Sequence, residues 1–210
     1  MTLIRSSSSV FYWLKRSWSK NLLNRNLIFR VTFLLIFGLG LSQSHALLTP
    51  FGERVNESIN RGLDWLRANQ NGNGGWGRPT GLAVLCFLEK RASADWNAQP
   101  QGYQNMDPAD QELVRNGIRY CIQSIGGIEN GNAEAYDTGA CLMAMSTYKH
   151  TGGPNDVGAA VTVTQGIQNA VNSLKALQNA SGGGFGYNVG SPRADMSTTQ
   201  FAMAGLHAAE

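Results

Sequence analysis

The feature that most constrains this chain is a glycine-rich turn that recurs after helical stretches. The first copy lies in Arg61–Gly77, RGLDWLRANQNGNGGWG, and the third in Val171–Tyr187, VNSLKALQNASGGGFGY. A weaker second copy, Val114–Gly127, reads VRNGIRYCIQSIGG. Recurrence at intervals of tens of residues is typical of stacked helical units, none of which buries its apolar surface alone. We therefore predict a repeat architecture.

Each turn separates an amphipathic helix from an apolar one. The amphipathic helices, with apolar residues at the helical period, are predicted at Arg54–Asn69, Ala109–Ser124 and Ala160–Asn179. The helices that are apolar nearly all round are predicted at Thr80–Lys90, at Ala135–Lys149 and from about Asp195 onward. The apolar helices align on Thr80, Thr138 and Thr199, which are 58 and 61 residues apart. No segment predicts a strand, so we expect an all-α protein with apolar helices inside and amphipathic helices outside.

Residues 1–46 have the order of a secretory signal peptide. They hold six of the 17 basic residues and none of the 14 acidic ones, and they include the short apolar run Val31–Leu41. Small residues follow at Ser44 and Ala46, which predicts cleavage after Ala46 and export. The run is about half of the ~20 residues that a membrane-spanning helix needs. The alternative is that residues 1–46 are an uncleaved membrane anchor or an organellar transit peptide. In either case, residues 47–210 form the predicted repeat domain.

The charge of the repeat domain argues against nucleic acid as a partner. Beyond residue 46 there are 11 basic and 14 acidic residues, a net charge of −3. Proteins that bind phosphate backbones need a basic patch or stripe, and the sequence contains none. We therefore predict no nucleic-acid binding.

The first turn resembles a known family motif. Its residues follow the order basic residue, Gly, aromatic, Gln and Gly-x-Trp, at Arg61, Gly62, Trp65, Gln70, Gly74 and Trp76. This order is similar to the QW repeat of squalene–hopene and oxidosqualene cyclases. The third turn retains Gln178 and Gly184 with Phe185 in place of Trp, and the second retains Gln123 without an aromatic residue. Residues 54–210 thus resemble prenyltransferase/squalene-oxidase repeat proteins.

The resemblance implies an (α/α) toroid in which the turns are structural, with the Gln amide packed against the aromatic ring. A toroid of this family closes with more hairpins than the three predicted here, and the chain stops within an apolar helix. The expectation is a partial toroid, and so a fragment, preceded by a signal peptide. Its open helical flank is expected to self-associate.

The sequence predicts no catalytic residues, no cofactor and no metal. Cyclases of the family use an Asp-x-Asp-Asp cluster as the general acid, and none of the seven aspartates beyond residue 46 forms one. Protein prenyltransferases of the family bind zinc through Asp, Cys and His, but the nearest pair, Asp137 and Cys141, departs from that spacing. Cys86, Cys121 and Cys141 are predicted to be buried free thiols, with oxidation of one pair as the alternative.

Three residues at the starts of apolar helices are candidate ligand contacts. In one interpretation Tyr136, Asp137 and Asp195 lie at the mouth of a central cavity. In the other, the aspartates cap the helices and the tyrosine stacks in a turn. We expect an exported, non-catalytic scaffold that binds a lipid, a glycan or a protein, and contacts a membrane only if residues 1–46 remain attached. The alternative is a terpenoid cyclase or prenyltransferase-like enzyme whose acid cluster lies outside this chain.

Overall fold

Six helices alternate along the part of the chain that the computed structural model describes, residues 49–91, 98–126, 134–179 and 182–210. They are α1 (Pro50–Ala68), α2 (Thr80–Leu88), α3 (Pro108–Gly126), α4 (Ala135–His150), α5 (Val163–Leu177) and α6 (Met196–Ala208). No strand lies within those ranges, so the all-α prediction is confirmed for them. The predicted signal peptide, residues 1–46, lies outside the described residues.

The helix boundaries differ from the predicted ones where capping residues decide them. α1 begins at Pro50 instead of Arg54, because the Thr49 hydroxyl accepts the Gly52 N–H at 3.1 Å and proline suits the first helical position. α5 begins at Val163, where Thr162 and Gln165 form a capping box. α2 begins at Thr80, as predicted, directly after Pro79.

The apolar helices α2, α4 and α6 form an inner layer, with α4 packed against both others. A Cβ added to Gly81 of α2 would lie 2.4 Å from the carbonyl carbon of Ala140, and one added to Gly139 of α4 would lie 2.4 Å from the carbonyl oxygen of Phe201. Both contacts join the start of one helix to the start of the next. The inner helices therefore run parallel, with their N-termini at one end.

The amphipathic helices cover this layer from outside. α3 packs against α2 and α5, and α5 packs against α4. The predicted apolar face of α3 is confirmed as buried, with exposures of 5% or less at Val114, Ile118, Cys121, Ile122 and Ile125. The core thus lies between the two layers.

Two burial predictions are wrong. The predicted apolar face of α1 consists of Val55, Ile59, Leu63 and Leu66, of which only Leu63 is fully buried, whereas Ile59 is 46% exposed. The inner helices are also not covered on every side, since Leu82 of α2 and Met203 of α6 are 41% and 55% exposed. Hydropathy cannot distinguish a helix with one open face from one that is covered all round.

Candidate functional site

The first and third turns share a glutamine that fastens each turn to itself. The Gln70 side chain donates Nε2–H to the carbonyl of Gly74 at 2.8 Å, and that of Gln178 donates to the carbonyl of Gly183 at 2.9 Å. Gln70 also donates to the carbonyl of Leu113 at 2.9 Å, which ties the first turn to α3. The glutamines of the first and third turns therefore hold the backbone of those turns.

The backbone bonds of the two turns correspond as well. The N–H of Asn71 donates to the carbonyl of Gly75 at 2.9 Å, and that of Asn179 donates to the carbonyl of Gly184 at 2.8 Å. Gly74 and Gly183 occupy equivalent positions with φ of 87° and 70°, a conformation that favours glycine. At Gly74 a Cβ would also lie 2.7 Å from the carbonyl oxygen of Asn116, so this position excludes any larger residue.

A threonine of the inner helix completes each turn. The N–H of Trp76 donates to the Thr80 hydroxyl at 2.8 Å, and the N–H of Phe185 donates to the Thr199 hydroxyl at 3.0 Å. The third aligned threonine, Thr138, is buried, and its hydroxyl has no partner among the described residues. The second turn, residues 127–133, lies outside those residues, so the role of Gln123 stays a prediction.

The aromatic residues of the repeat differ in burial and in their contacts. The indole of Trp76 donates to the carbonyl of Leu66 at 2.9 Å and lies 6.2 Å from the ring of Phe87, and Phe185 is 2% exposed. Trp65, by contrast, is 61% exposed, and a Cβ at Gly62 would meet no atom within 4 Å. The structure therefore gives Trp76 and Phe185 a packing role that it does not give Trp65 or Gly62.

The two turns differ in the segment that joins the aromatic residue to the threonine. Three residues separate Trp76 from Thr80, whereas 13 separate Phe185 from Thr199. We call the extra segment, residues 186–195, the third-turn insertion. Its backbone is fastened at both ends, because the N–H of Ala135 donates to the carbonyl of Tyr187 at 3.3 Å and the N–H of Asp195 donates to that of Phe185 at 3.1 Å.

Tyr136 and Asp195, two of the predicted ligand contacts, are connected through Ser197. The Tyr136 hydroxyl donates to the Ser197 hydroxyl, which donates to the Asp195 carboxylate. The ring of Tyr187, from the third-turn insertion, lies 5.8 Å from that of Tyr136 by centroid, and Tyr136 contacts Phe201 edge-on at 5.0 Å. We call Tyr136, Tyr187, Asp195 and Ser197 the tyrosine cluster.

Hydrogen bonding sets the electrostatics of the tyrosine cluster. The neighbouring Tyr136 raises the pKa of Tyr187, and the negative charge of Asp195 adds to the effect. The hydroxyl and the backbone N–H of Ser197 donate to Asp195 and lower the pKa of its carboxyl. Asp195 also caps α6 by accepting the N–H groups of Ser197 and Thr198. At neutral pH Asp195 is therefore a carboxylate, and Tyr187 keeps its hydroxyl proton.

Asp137, the remaining predicted contact, belongs to a neighbouring ion pair. Its carboxylate lies 3.0 Å from Nε of Arg78, which also pairs with Glu134. Asp137 is in the first turn of α4, where an acid is favoured by the helix dipole. The structure thus brings Tyr136 and Asp195 together and leaves Asp137 in a separate contact between the starts of α2 and α4.

Sequence reasoning missed a buried ion pair between outer helices. Arg67 of α1 donates two hydrogen bonds of 2.7 Å to the carboxylate of Asp110 of α3, and the Asp110 side chain is only 4% exposed. The guanidinium also lies over the ring of Phe87, 5.6 Å from its centroid. The two partners are 43 residues apart, so no local pattern announces the pair.

Among residues 49–91, 98–126, 134–179 and 182–210, no group of three or more His, Cys, Asp or Glu side chains is arranged to hold a metal ion. Within the same ranges no helix has the length and apolar character needed to cross a membrane. Cys121 and Cys141 are buried free thiols, as predicted, but Cys86 is exposed. Comparisons of the chain with family models, with curated proteins and with solved structures find no match.

Proposed function

We propose that this chain is a repeat protein of the prenyltransferase/squalene-oxidase repeat type, a partial (α/α) toroid that serves as a binding scaffold. The observation that carries the proposal is the shared bonding of the first and third turns, from glutamine to glycine carbonyl and from aromatic N–H to threonine hydroxyl. Stacked helical hairpins repeat such contacts because each unit is stabilised by its neighbours.

The glycine contacts of the inner layer support the same proposal. Gly81 follows the aligned Thr80 and contacts Ala140 of α4, two residues after the aligned Thr138. Gly139 follows Thr138 and contacts Phe201 of α6, two residues after the aligned Thr199. The step from α2 to α4 therefore repeats from α4 to α6. A constant step between parallel inner helices is what a toroid requires.

The engagement of the acidic side chains favours a scaffold over an enzyme. The carboxylates of Asp110 and Asp137 are paired with Arg67 and Arg78, which favours a structural role for both. Asp195 has a lowered pKa, whereas a general acid works best with a pKa near the operating pH. The alternative, a terpenoid cyclase or prenyltransferase-like enzyme, places the acid cluster outside this chain.

Export is part of the proposal and rests on the sequence of residues 1–46. N-terminal sequencing of the full chain, recovered after expression in a secreting host, is expected to show a cut after Ala46. Recovery with the N-terminus intact would contradict cleavage. It would then favour the membrane-anchored alternative.

A turn-exchange variant tests the repeat itself. Gln178–Phe185 replaces Gln70–Trp76 in the full chain, with a control in which the inserted residues are shuffled. Equivalent turns predict that the exchanged chain unfolds in one cooperative transition and that the shuffled one loses stability. Equal loss in both would refute the equivalence.

A second assay separates scaffold from enzyme. The full chain is incubated with squalene, and separately with a polyprenyl diphosphate and a cysteine-ended peptide. The scaffold proposal expects both to be recovered unchanged, and a cyclised or prenylated product formed by this chain alone would overturn it.

A further inference from the structure

We propose that the third-turn insertion and the tyrosine cluster bind a neutral carbohydrate, an inference that rests on the proposed scaffold function. The turn bonding shows where this hairpin departs from the repeat, since residues 186–195 have no counterpart between Trp76 and Thr80. In repeat proteins, insertions in individual repeats are found on loops of one face, which is often the binding face.

The insertion presents apolar surface that its own turn does not need. Tyr187 and Val189 of the insertion are 46% and 48% exposed, and Met196, which follows it at the start of α6, is 87% exposed. The carbonyl bond from Ala135 holds the backbone of Tyr187 against α4, and the Asn188 N–H donates to the Ser191 hydroxyl at 3.0 Å. The exposed tyrosine ring is therefore offered on a fixed backbone, which lowers the entropic cost of binding.

Polar groups of defined direction lie beside this ring. The hydroxyl groups of Tyr136 and Ser197 and the Asp195 carboxylate form one hydrogen-bonded network, and the ring of Tyr187 lies 5.8 Å from that of Tyr136. A sugar ring has an apolar face of C–H groups and a rim of hydroxyl groups. The apolar face of the sugar can stack on the Tyr187 ring while its hydroxyl groups form hydrogen bonds with the network. Small-molecule sites commonly combine aromatic side chains with a few precisely placed polar groups in this way.

Charge selects a neutral sugar over an acidic one. The tyrosine cluster carries one carboxylate, and the adjacent contact adds Glu134 and Asp137 beside Arg78. Arg193 of the third-turn insertion adds a second positive charge. Three acids and two bases leave a net charge of −1, which disfavours uronic acids and sulfated sugars. A lipid chain is disfavoured because it would bury the carboxylate and the hydroxyls without hydrogen-bonding partners.

The test is binding of defined hexasaccharides to the full chain by calorimetry. The probes are β-1,4-linked glucose, β-1,4-linked N-acetylglucosamine, α-1,4-linked glucose and, as the acidic comparison, α-1,4-linked galacturonate. We expect at least one neutral probe to bind with a Kd below about 1 mM, and the galacturonate to bind at least about tenfold more weakly.

Variants then locate the site. Tyr187→Ala should weaken binding about tenfold, and Tyr187→Phe, which keeps the ring, about twofold to threefold. Trp65→Ala is the matched control, since it removes an exposed aromatic side chain from α1 and should leave the Kd within about twofold. Thermal unfolding of each variant shows that it is folded, which is expected because both side chains are exposed.

Three outcomes would overturn the inference: no neutral probe binds, only the galacturonate binds, or Tyr187→Ala changes the Kd no more than Trp65→Ala. The turn-exchange experiment uses no ligand, so its result does not depend on whether the chain binds a carbohydrate. A stable exchanged chain without carbohydrate binding would refute this site alone, and a failed exchange would refute the scaffold.

Discussion

Replacing Gly139 by alanine probes the contact on which the inner layer depends. The added Cβ would lie 2.4 Å from the carbonyl oxygen of Phe201, against an ordinary contact distance of at least 3.4 Å, so α6 must move by about 1 Å. Overpacking of this kind costs about 1–3 kcal/mol, and the backbone neighbour cannot rotate aside as a side chain would. Alanine returns at most about 1 kcal/mol through its helix propensity. Because the clash is with the backbone, we take the cost at the upper end, about 3 kcal/mol, and expect a net loss of about 2 kcal/mol.

Gly62→Ala is the matched control, because a Cβ there meets nothing within 4 Å and the helix position is exposed. It should stabilise the chain by about 0.5–1 kcal/mol. For a domain of this size, 1 kcal/mol shifts Tm by about 2–4 °C, so Gly139→Ala should lower Tm by about 4–8 °C. Urea and thermal unfolding followed by far-UV circular dichroism measure both effects.

The reasoning fails if Gly139→Ala unfolds at the same urea midpoint as the parent chain, or if Gly62→Ala is destabilised as strongly. Equal stability would show that α4 and α6 do not approach as closely as described. Gly81→Ala repeats the test at the contact between α2 and α4, where the added Cβ would lie 2.4 Å from Ala140.

Three further predictions concern charges and thiols. Asp110→Ala should cost about 2 kcal/mol in urea unfolding, because it removes two charge-assisted hydrogen bonds of a buried carboxylate, although Arg67 keeps its pair with Asp64. Glu112→Ala, from an exposed pair, should change stability by less than about 0.5 kcal/mol, and equal losses would contradict the difference in burial. In timed alkylation with mass analysis, Cys86 should react first and Cys121 only on unfolding, since the pKa of the Cys121 thiol is raised by its contact with the neighbouring cysteine and by burial; early labelling of Cys121 would refute this. The folded-state pKa of Asp195 is lowered, so its cap stabilises the chain above the ordinary carboxyl pKa of 3.8 and is lost as pH falls below it. Asp195→Asn should flatten this part of the acid dependence of the urea midpoint, and an unchanged profile would show that the cap contributes nothing.

The helices were predictable because their signals are local. The period of the apolar residues in α3 identified both the helix and its buried face, and the glycine turns marked where α1 and α5 end. The capping interpretation of Asp195 was available from its place before an apolar helix. Each of these inferences depends on residues within one or two helical turns of each other.

The sequence could not show which of several residues of the same type become buried or paired in the fold. Trp65 and Trp76 are the same residue type eleven positions apart, yet one is exposed and the other is fixed by an indole hydrogen bond. The pairing of Arg67 with Asp110 depends on how two outer helices meet. Ile59 lies on the apolar stripe of α1, but burial there requires a neighbour, and periodicity does not indicate one.

The central position of α4 determines which parts of the chain unfold locally most easily. Because α4 packs against α2 on one side and α6 on the other, the hairpins are coupled as nearest neighbours in a line. Opening at either end of the line costs one interface, whereas exposing α4 costs two. Local unfolding is therefore graded, and the amide hydrogens of α4 exchange with solvent last.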